Sequence, residues 1–482
     1  MCDCDSTNLL AKDIFKMRED PTQPLKKTGN KLPQYIAALS VCLGSVATGA
    51  VLGWTSNISE AMKAGAYNGI PIDDDNLGWI GSFATLGAMC MCFPIGILCD
   101  LIGRKVAMLI LTVPFVIGWL LIIFANSVGM IYAGRFITGC AGGAFCVSAP
   151  LYTSEIAEKE IRGALGSYFQ LLLTVGILFS YIIGFVADIK TYTIIVAILP
   201  LVFCVVFFFQ PETPVYRMKQ KREGDARAAL IRLRGKEYDV DAELKEIRET
   251  LEAEEKNRVS FITCMKTRSA KIASIVCFSL MFFQQAGGIN AVIFYTGDIF
   301  KSSGSSLDPG VATIICGVIQ SISTFVSSLI IDKLGRRILL ILSDLLMVVS
   351  GVALGIFFSL KERELVDKET LSTLGFLPIV SLSVFFIVFS LGFGPIPWMI
   401  SSELFPSEIK SVASSAAGTF NWFIAFLITK FYLSLKNAVG GDVTFYIFSV
   451  ISLIGTIFCV FVVPETKGKS LEEIQRELNK EK

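Results

Sequence analysis

The sequence predicts an all-α membrane protein of twelve transmembrane helices, arranged as two six-helix halves with short accessory helices. Three observations predict it. Apolar runs of bilayer length recur twelve times along the 482 residues. Lys and Arg gather in alternate connecting segments. Three short charged motifs occur twice, in the same order, once in each half of the chain.

Composition sets the class. Hydrophobic residues make up 53% of the chain, mean hydropathy is +0.62, and there are 37 Phe and 40 Gly. Phe faces lipid at little cost, and Gly lets membrane helices approach closely. The net charge of +1 leaves no electrostatic footprint for nucleic acid. The chain has no His, which removes the usual metal ligand and the usual proton switch. The 13 Cys are scattered, mostly inside apolar runs, without CxxC pairs. No nucleophile–base pair, phosphate loop or metal cluster is apparent, so neither an enzyme nor a cofactor or metal is expected.

Residues 1–32 are polar and carry both charge signs, unlike a signal peptide, so they read as an N-terminal tail and the first apolar helix as an uncleaved anchor. The spans fall at roughly 34–56, 77–99, 106–125, 129–150, 164–187, 191–209, 271–293, 310–331, 338–359, 376–400, 412–432 and 443–463. The halves are 33–209 and 271–463, joined by a 210–270 loop and followed by a 464–482 tail. About 34 of the 43 Lys and Arg lie before the first span and after the even-numbered ones. The positive-inside rule then puts both termini in the cytoplasm. In the loop, Ala226, Ala229, Leu230 and Leu233 recur at helical spacing, as do Leu244, Ile247 and Leu251. In the tail, Ser470 with Glu473 reads as a capping box ahead of Ile474 and Leu478.

The repeated motifs are charged. Asp100-Leu-Ile-Gly103-Arg104-Lys105 follows span 2, and Asp332-Lys-Leu-Gly335-Arg336-Arg337 follows span 8. Glu155 precedes Arg162 by seven after span 4, and Glu403 precedes Lys410 by seven after span 10. Pro211-Glu212-Thr213 ends span 6, and Pro464-Glu465-Thr466 ends span 12. Three pairs at matching positions imply duplicated halves with a site between them. Together these residues form a candidate cytoplasmic gate, whose ion pairs are expected to form as the halves close and break as they part. Arg135, near the start of span 4, is assigned to the same set. An intramembrane Arg costs at least ~2.5 kcal/mol and should have a partner, for which Glu212 is nominated.

These motifs resemble the sugar porter family of the major facilitator superfamily, over residues 34–478 or nearly so. Gln284-Gln285-Ala-Gly-Gly-Ile-Asn290-Ala-Val-Ile-Phe-Tyr295, Gly394-Pro395-Ile396-Pro397-Trp398 and Pro464-Glu-Thr-Lys-Gly-Lys-Ser-Leu-Glu-Glu473 are most similar to the insect facilitated trehalose transporters and their animal glucose-transporter relatives. The resemblance implies helices alternating between outward-open and inward-open states around a central sugar site. Its candidate residues are the amides Gln170, Gln284, Gln285, Asn290, Gln320 and Asn421, with Trp398. Amides both donate and accept, as ring hydroxyls require, and an aromatic plate suits a sugar's apolar face. Unpartnered buried amides cost roughly 1–3 kcal/mol each, so these should face a wet cavity or one another. Gly287-Gly288 should loosen span 7, and Pro395 and Pro397 should break span 10. Against the family pattern, Lys410-Ser411 replaces Arg-Gly, Ser390 replaces a Glu, and Gln320 and Ala425 each replace an Asn.

Proton-coupled relatives carry an Asp in the first span, whereas residues 34–56 hold no carboxylate. Facilitated diffusion is therefore expected, with trehalose as the substrate. A glucose or other hexose facilitator, a proton-coupled symporter and an inositol-like carrier stay open, and a non-transporting sensor is disfavoured by the short tail. The expected location is the plasma membrane, as a monomer. Asp5-Ser-Thr-Asn-Leu9-Leu10 matches an acidic dileucine signal through which a sorting adaptor could hold the protein in endosomes. Asn57-Ile-Ser59 is a sequon expected to lie too close to the membrane for glycosylation.

Overall fold

The computed structural model describes residues 29–56, 58–65, 67–256, 264–304, 307–406, 409–469 and 471–479. Leu9-Leu10, Asn57 and Ser470 lie outside the described residues, as does the side chain of Asp332. Among the described residues, twelve helices are long and apolar enough to cross a membrane: Leu32–Gly53, Asp74–Ile102, Arg104–Ile123, Val128–Ile156, Arg162–Val186, Ile189–Phe208, Arg268–Ser303, Pro309–Ile331, Arg336–Glu362, Lys368–Leu404, Lys410–Val439 and Gly441–Phe461. They are called spans 1 to 12. The described part of the 210–270 loop, residue 29 and the tail helix lie on one face, called the loop face; the opposite side is the far face.

Local chemistry explains where the helices start and stop. Span 2 opens at Asp73, whose carboxylate accepts from the Asn76 amide at 2.7 Å, and span 8 opens at Asp308, which accepts from Gly310 and Val311. Such caps satisfy amides that have no partner in the first turn. The helices of spans 2 and 8 run on to Ile102 and Leu334 and stop at Gly103 and Gly335, with φ of +100° and +92°. A Cβ on these glycines would lie 2.4 Å from Glu212 and 2.8 Å from Glu465, so conformation and space both require Gly.

Packing follows the membrane rule of small residues at helix contacts. A Cβ on Gly139 of span 4 would stand 2.1 Å from the Ala84 carbonyl of span 2, and one on Gly49 of span 1 would stand 2.0 Å from the Leu173 carbonyl of span 5. Ile110, Val113 and Ile117 of span 3, and Ile338, Leu342 and Val349 of span 9, are exposed large apolar side chains on the perimeter, as a lipid-facing surface demands.

Two spans are broken. Span 7 divides into Arg268–Ala286 and Ile289–Ser303, with Gly288 left-handed at φ +94°. Span 10 divides into Lys368–Thr373, Leu377–Leu391 and Ile396–Leu404. Its break nearest the two prolines covers residues 392–395 and includes Pro395, and a Cβ on Gly392 would lie 2.4 Å from Ser343 of span 9.

The loop forms helices Pro214–Lys219, Glu223–Arg234 and Val240–Lys256. Ala226, Ala229, Leu230, Leu233 and Leu244 are buried, whereas Ile247 and Leu251 are only half-buried. Arg234, 1% exposed, ties the loop to span 4 through the Ile156 carbonyl (2.6 Å), with Glu243 at 2.9 Å and Glu158 at 3.5 Å. The tail helix Leu471–Asn479 buries Ile474 and Leu478, and Gln475 donates to the Leu404 carbonyl at 2.6 Å.

Candidate functional site

The break in span 10 leaves carbonyls without helical partners, and a side chain of span 7 supplies one. The Gln284 Nε2 donates to the carbonyls of Phe393 (2.7 Å) and Gly394 (2.8 Å). Its Oε1 accepts from the Asn421 Nδ2 of span 11 at 2.7 Å. Asn421 Oδ1 accepts from the Gln285 Nε2 at 2.9 Å, and Gln285 Oε1 accepts from the Asn290 Nδ2 at 2.7 Å. Four of the six candidate amides thus form one buried chain across spans 7 and 11, anchored on the break in span 10. They face one another, one of the two arrangements expected for them. Asn290 stands two residues past Gly288, so the break in span 7 sits inside the chain of hydrogen bonds.

The remaining candidates stand apart from this network. Gln320 of span 8 is buried, and its Oε1 has no hydrogen-bond partner. Gln170 of span 5 is half-buried. Trp398, also half-buried, lies against Gly418, one turn before Asn421 on span 11, with 3.2 Å between its ring and a Cβ built there.

On the loop face the duplicated motifs build the same clasp twice. In the first half, Arg104 donates to Glu155 at 2.9 and 3.1 Å, Thr213 donates to Glu155 at 2.5 Å, and Glu212 accepts from the Lys105 amide at 3.0 Å. In the second, Arg336 donates to Glu403 at 3.1 Å, Thr466 to Glu403 at 2.6 Å, and Glu465 accepts from the Arg336 and Arg337 amides at 3.0 and 3.1 Å. Glu212 and Glu465 therefore cap the first turns of spans 3 and 9, where helix dipoles favour negative charge. Asp100 adds a 3.0 Å bridge to Arg104.

Several sequence expectations need correction here. Each clasp lies within one half and binds its own spans together; it is not a bridge between halves. Arg162 donates to the Ala157 carbonyl, and Glu155 and Glu403 bond to Arg104 and Arg336 in place of the basic residue seven positions on. Arg135 does not meet Glu212 and does not belong to the loop face. Span 4 starts at the far face, while Glu212 ends span 6 at the loop face, so a bilayer thickness separates them. Arg135 is instead held by the carbonyls of Ile80 (3.0 Å) and Val51 (2.8 Å) and by the face of Trp54, 5.3 Å away. Carbonyl dipoles and an aromatic face replace the expected carboxylate.

Glu465 carries a pH consequence. Burial pushes its carboxyl up, but amides of Lys467, Arg336, Arg337 and Thr466 together hold it below its ordinary value of 4.5. A depressed carboxyl contributes its stability above the unfolded value and loses it as pH falls through the folded one. Glu465→Gln should therefore lower the melting temperature of the purified protein at pH 7. The gap to the unsubstituted protein should close only as pH drops below 4.5.

The far face holds contacts that the sequence reading missed, and these do join the halves. Lys430 of span 11 meets Asp75 of span 2 at 2.5 Å and lies over Trp79. Asn437 donates to Asp74 at 3.0 Å, Tyr181 of span 5 donates to the Ile293 carbonyl at 2.9 Å, and Thr55 donates to the Phe294 carbonyl at 3.3 Å. Tyr295 stacks on Tyr432 within the second half, and its hydroxyl closes over Gly81 of span 2. Spans 2 and 11, with the second half of span 7, close this side together.

A family model described as sugar (and other) transporter matches residues 36–478. The chain belongs to this transporter family. It is 39% identical over 446 residues to the facilitated trehalose transporter Tret1 of Polypedilum vanderplanki, covering 92% of this chain and 88% of that one. It is 38% identical over 447 residues to the facilitated trehalose transporter Tret1 of Aedes aegypti, covering 92% of this chain and 55% of that one. The chain thus spans little more than half of the mosquito protein. Among solved structures, the proton:xylose symporter XylE bound to 6-bromo-6-deoxy-D-glucose superposes with a TM-score of 0.76 at 23% identity, covering 93% of this chain and 100% of that one. The inward open conformation of XylE from E. coli gives 0.74 at 22% identity, covering 91% and 98%. At that identity these two show the fold, the twelve-span major facilitator architecture. This transporter family is not one of enzymes, in agreement with the sequence reading.

Proposed function

We propose that the chain carries trehalose across a membrane by facilitated diffusion, in an alternating-access cycle. The observation that carries this reading is the amide chain Gln284–Asn421–Gln285–Asn290 at the hinge of span 7. Amide–amide bonds of this kind are exchanged for bonds to sugar hydroxyls at little net cost, because each amide both gives and takes. The open acceptor of Gln320 and the half-buried Gln170 extend the site, and Trp398 offers a plate on which a ring stacks. Charge is absent from this set, as suits a neutral solute. Trehalose, rather than a hexose or an inositol-like solute, is favoured by the names of the 38–39% identical relatives.

Transport follows from the far-face seal. With spans 2 and 11 joined there, the site is shut toward the far side. Release of the Lys430–Asp75 and Tyr295 contacts, with rotation of the second half of span 7 about Gly288, opens it. The clasps of the loop face keep each half rigid meanwhile. The bias of Lys and Arg supports a cytoplasmic loop face, with both termini on that side. Residence in the plasma membrane as a monomer, with Leu9-Leu10 available to a sorting adaptor, completes the reading.

Uptake of labelled trehalose and labelled glucose by oocytes expressing the chain tests it, at external pH 5.5 and 7.5. Saturable trehalose uptake, equal at both pH values and unaffected by an uncoupler, is expected. Glucose uptake alone would move the substrate to the hexoses, and collapse with the uncoupler would replace diffusion by proton symport.

A further inference from the structure

Span 9 holds a carboxylate that the transport reading does not use. Asp344 is 0% exposed, eight residues or about 12 Å along the helix from Arg336 at the loop face. Neither of its oxygens meets a partner at full hydrogen-bonding geometry, and the Ser452 hydroxyl of span 12 stands beside them. One oxygen lies 2.3 Å from where a Cβ on Gly455 of span 12 would stand, and the Phe283 ring of span 7 closes the same spot at 3.1 Å. The Gly at 455 is what leaves room for the carboxyl.

Among the described residues, no charged side chain stands beside it. From span 12 the titratable neighbour is the buried Cys459 thiol, and Ser452 supplies a hydroxyl beside it. The central part of span 10, Leu377–Leu391, contains no titratable residue, and Glu403 beyond it is engaged by Arg336 and Thr466. Span 7 presents Phe283. Arg337 lies seven residues back on span 9 and donates to the Val460 carbonyl. Asp332 and Lys333 stand at the loop-face end of span 8, before Arg336. An unpaired carboxylate in such a place costs several kcal/mol, whereas the protonated acid is neutral.

The position ties Asp344 to the hinge. Ser343 beside it donates to the Val388 carbonyl and accepts from the Phe393 amide, the residue whose carbonyl binds Gln284. Ser452 also borders a void of about 10 Å³, shared with Met347 and Gly287. That is close to the least space a water needs.

We propose that Asp344 is a proton-binding site on span 9, loaded from the loop face, that regulates the transport cycle without driving it. In the far-closed arrangement the packing of spans 7, 9 and 12 accepts the neutral acid. Ionisation requires that seam to loosen and admit water. Acid on the loop face therefore holds the carrier far-closed and delays its return, while acid on the far side does not reach the site. The inference rests on the transport reading for its rate measurement and on geometry alone for its spectroscopic one.

The test uses oocytes in which a permeant weak acid lowers internal pH at constant external pH. Internal acid should slow trehalose uptake by about twofold or more in the unsubstituted protein and leave Asp344→Asn unchanged. A flat response before substitution, or an equal response in Asp344→Asn, overturns the proposal. Purified protein gives the sugar-free readout. A protonated-carboxyl C=O infrared band should be present at neutral pH and missing in Asp344→Asn, or in Asp344→Ser if the amide variant does not accumulate. A band that is absent before substitution, or that persists in the variant, overturns the proposal whether or not trehalose proves to be the substrate. Absence of trehalose uptake with the band present overturns the transport reading alone.

Discussion

Gln285→Ala should lower sugar uptake at least about tenfold at unchanged surface abundance, which corresponds to ~1.4 kcal/mol. Gln285 is the middle link of the amide chain. Its Nε2 serves Asn421 and its Oε1 serves Asn290. Truncation leaves the Oδ1 of Asn421 on span 11 and the Nδ2 of Asn290 beyond the hinge without that partner, at roughly 1–3 kcal/mol apiece when buried. Water relieves that cost in the open state, so the loss falls on sugar binding and on closure over the sugar, not on folding. Gln284→Ala should behave differently. Its partners include two backbone carbonyls at the break in span 10, so part of its loss should appear as reduced protein at the surface. Concentration-dependent uptake, normalised to surface-labelled protein, separates the two outcomes.

Arg104→Leu should destabilise the protein by roughly 3 kcal/mol, and Arg336→Leu by roughly 1. The two arginines occupy equivalent places in duplicated clasps, but their surroundings differ. Arg104 is 2% and Glu155 11% exposed, against 11% and 25% for Arg336 and Glu403. Removing a guanidinium leaves its carboxylate uncompensated, and that cost grows as water is excluded. The double substitution Arg104→Leu with Glu155→Leu should recover part of the loss, because no orphaned charge is left. Melting temperatures and yields of the purified variants report this ordering. Equal losses for the two arginines would mean that exposure does not set the cost.

Much of this architecture was legible in the sequence, because bilayer length and the positive-inside rule are strong constraints. Twelve spans and the duplicated motifs follow from them directly. The clasps were legible as motifs but not as contacts. Sequence order shows that Glu155, Arg104 and Thr213 come to one face, yet whether they join spans within a half or bridge the halves depends on packing. The pairing of Arg135 with Glu212 failed for a simpler reason, since the alternation of spans already places them at opposite faces. Lys430 and Asp344 were readable by the rule that singled out Arg135. Each is an ionisable residue inside an apolar run, and each takes a place the motifs do not mark, one at the far-face seal and one at the seam of spans 9 and 12. The amide network was partly legible. The residue types were clear, but their mutual pairing depends on the breaks in spans 7 and 10, where Gly288 and Gly392 make room that composition does not reveal.

The central claim is that the two halves part at the far face to admit sugar to the amide site. Cysteines introduced at Asp75 and Lys430, whose present side chains meet at 2.5 Å, can be joined by a short bifunctional thiol reagent. The account predicts that cross-linking abolishes trehalose uptake in proportion to the fraction joined, with no effect of the reagent on the unsubstituted protein or on either single variant. Uptake that continues in fully cross-linked protein would contradict it.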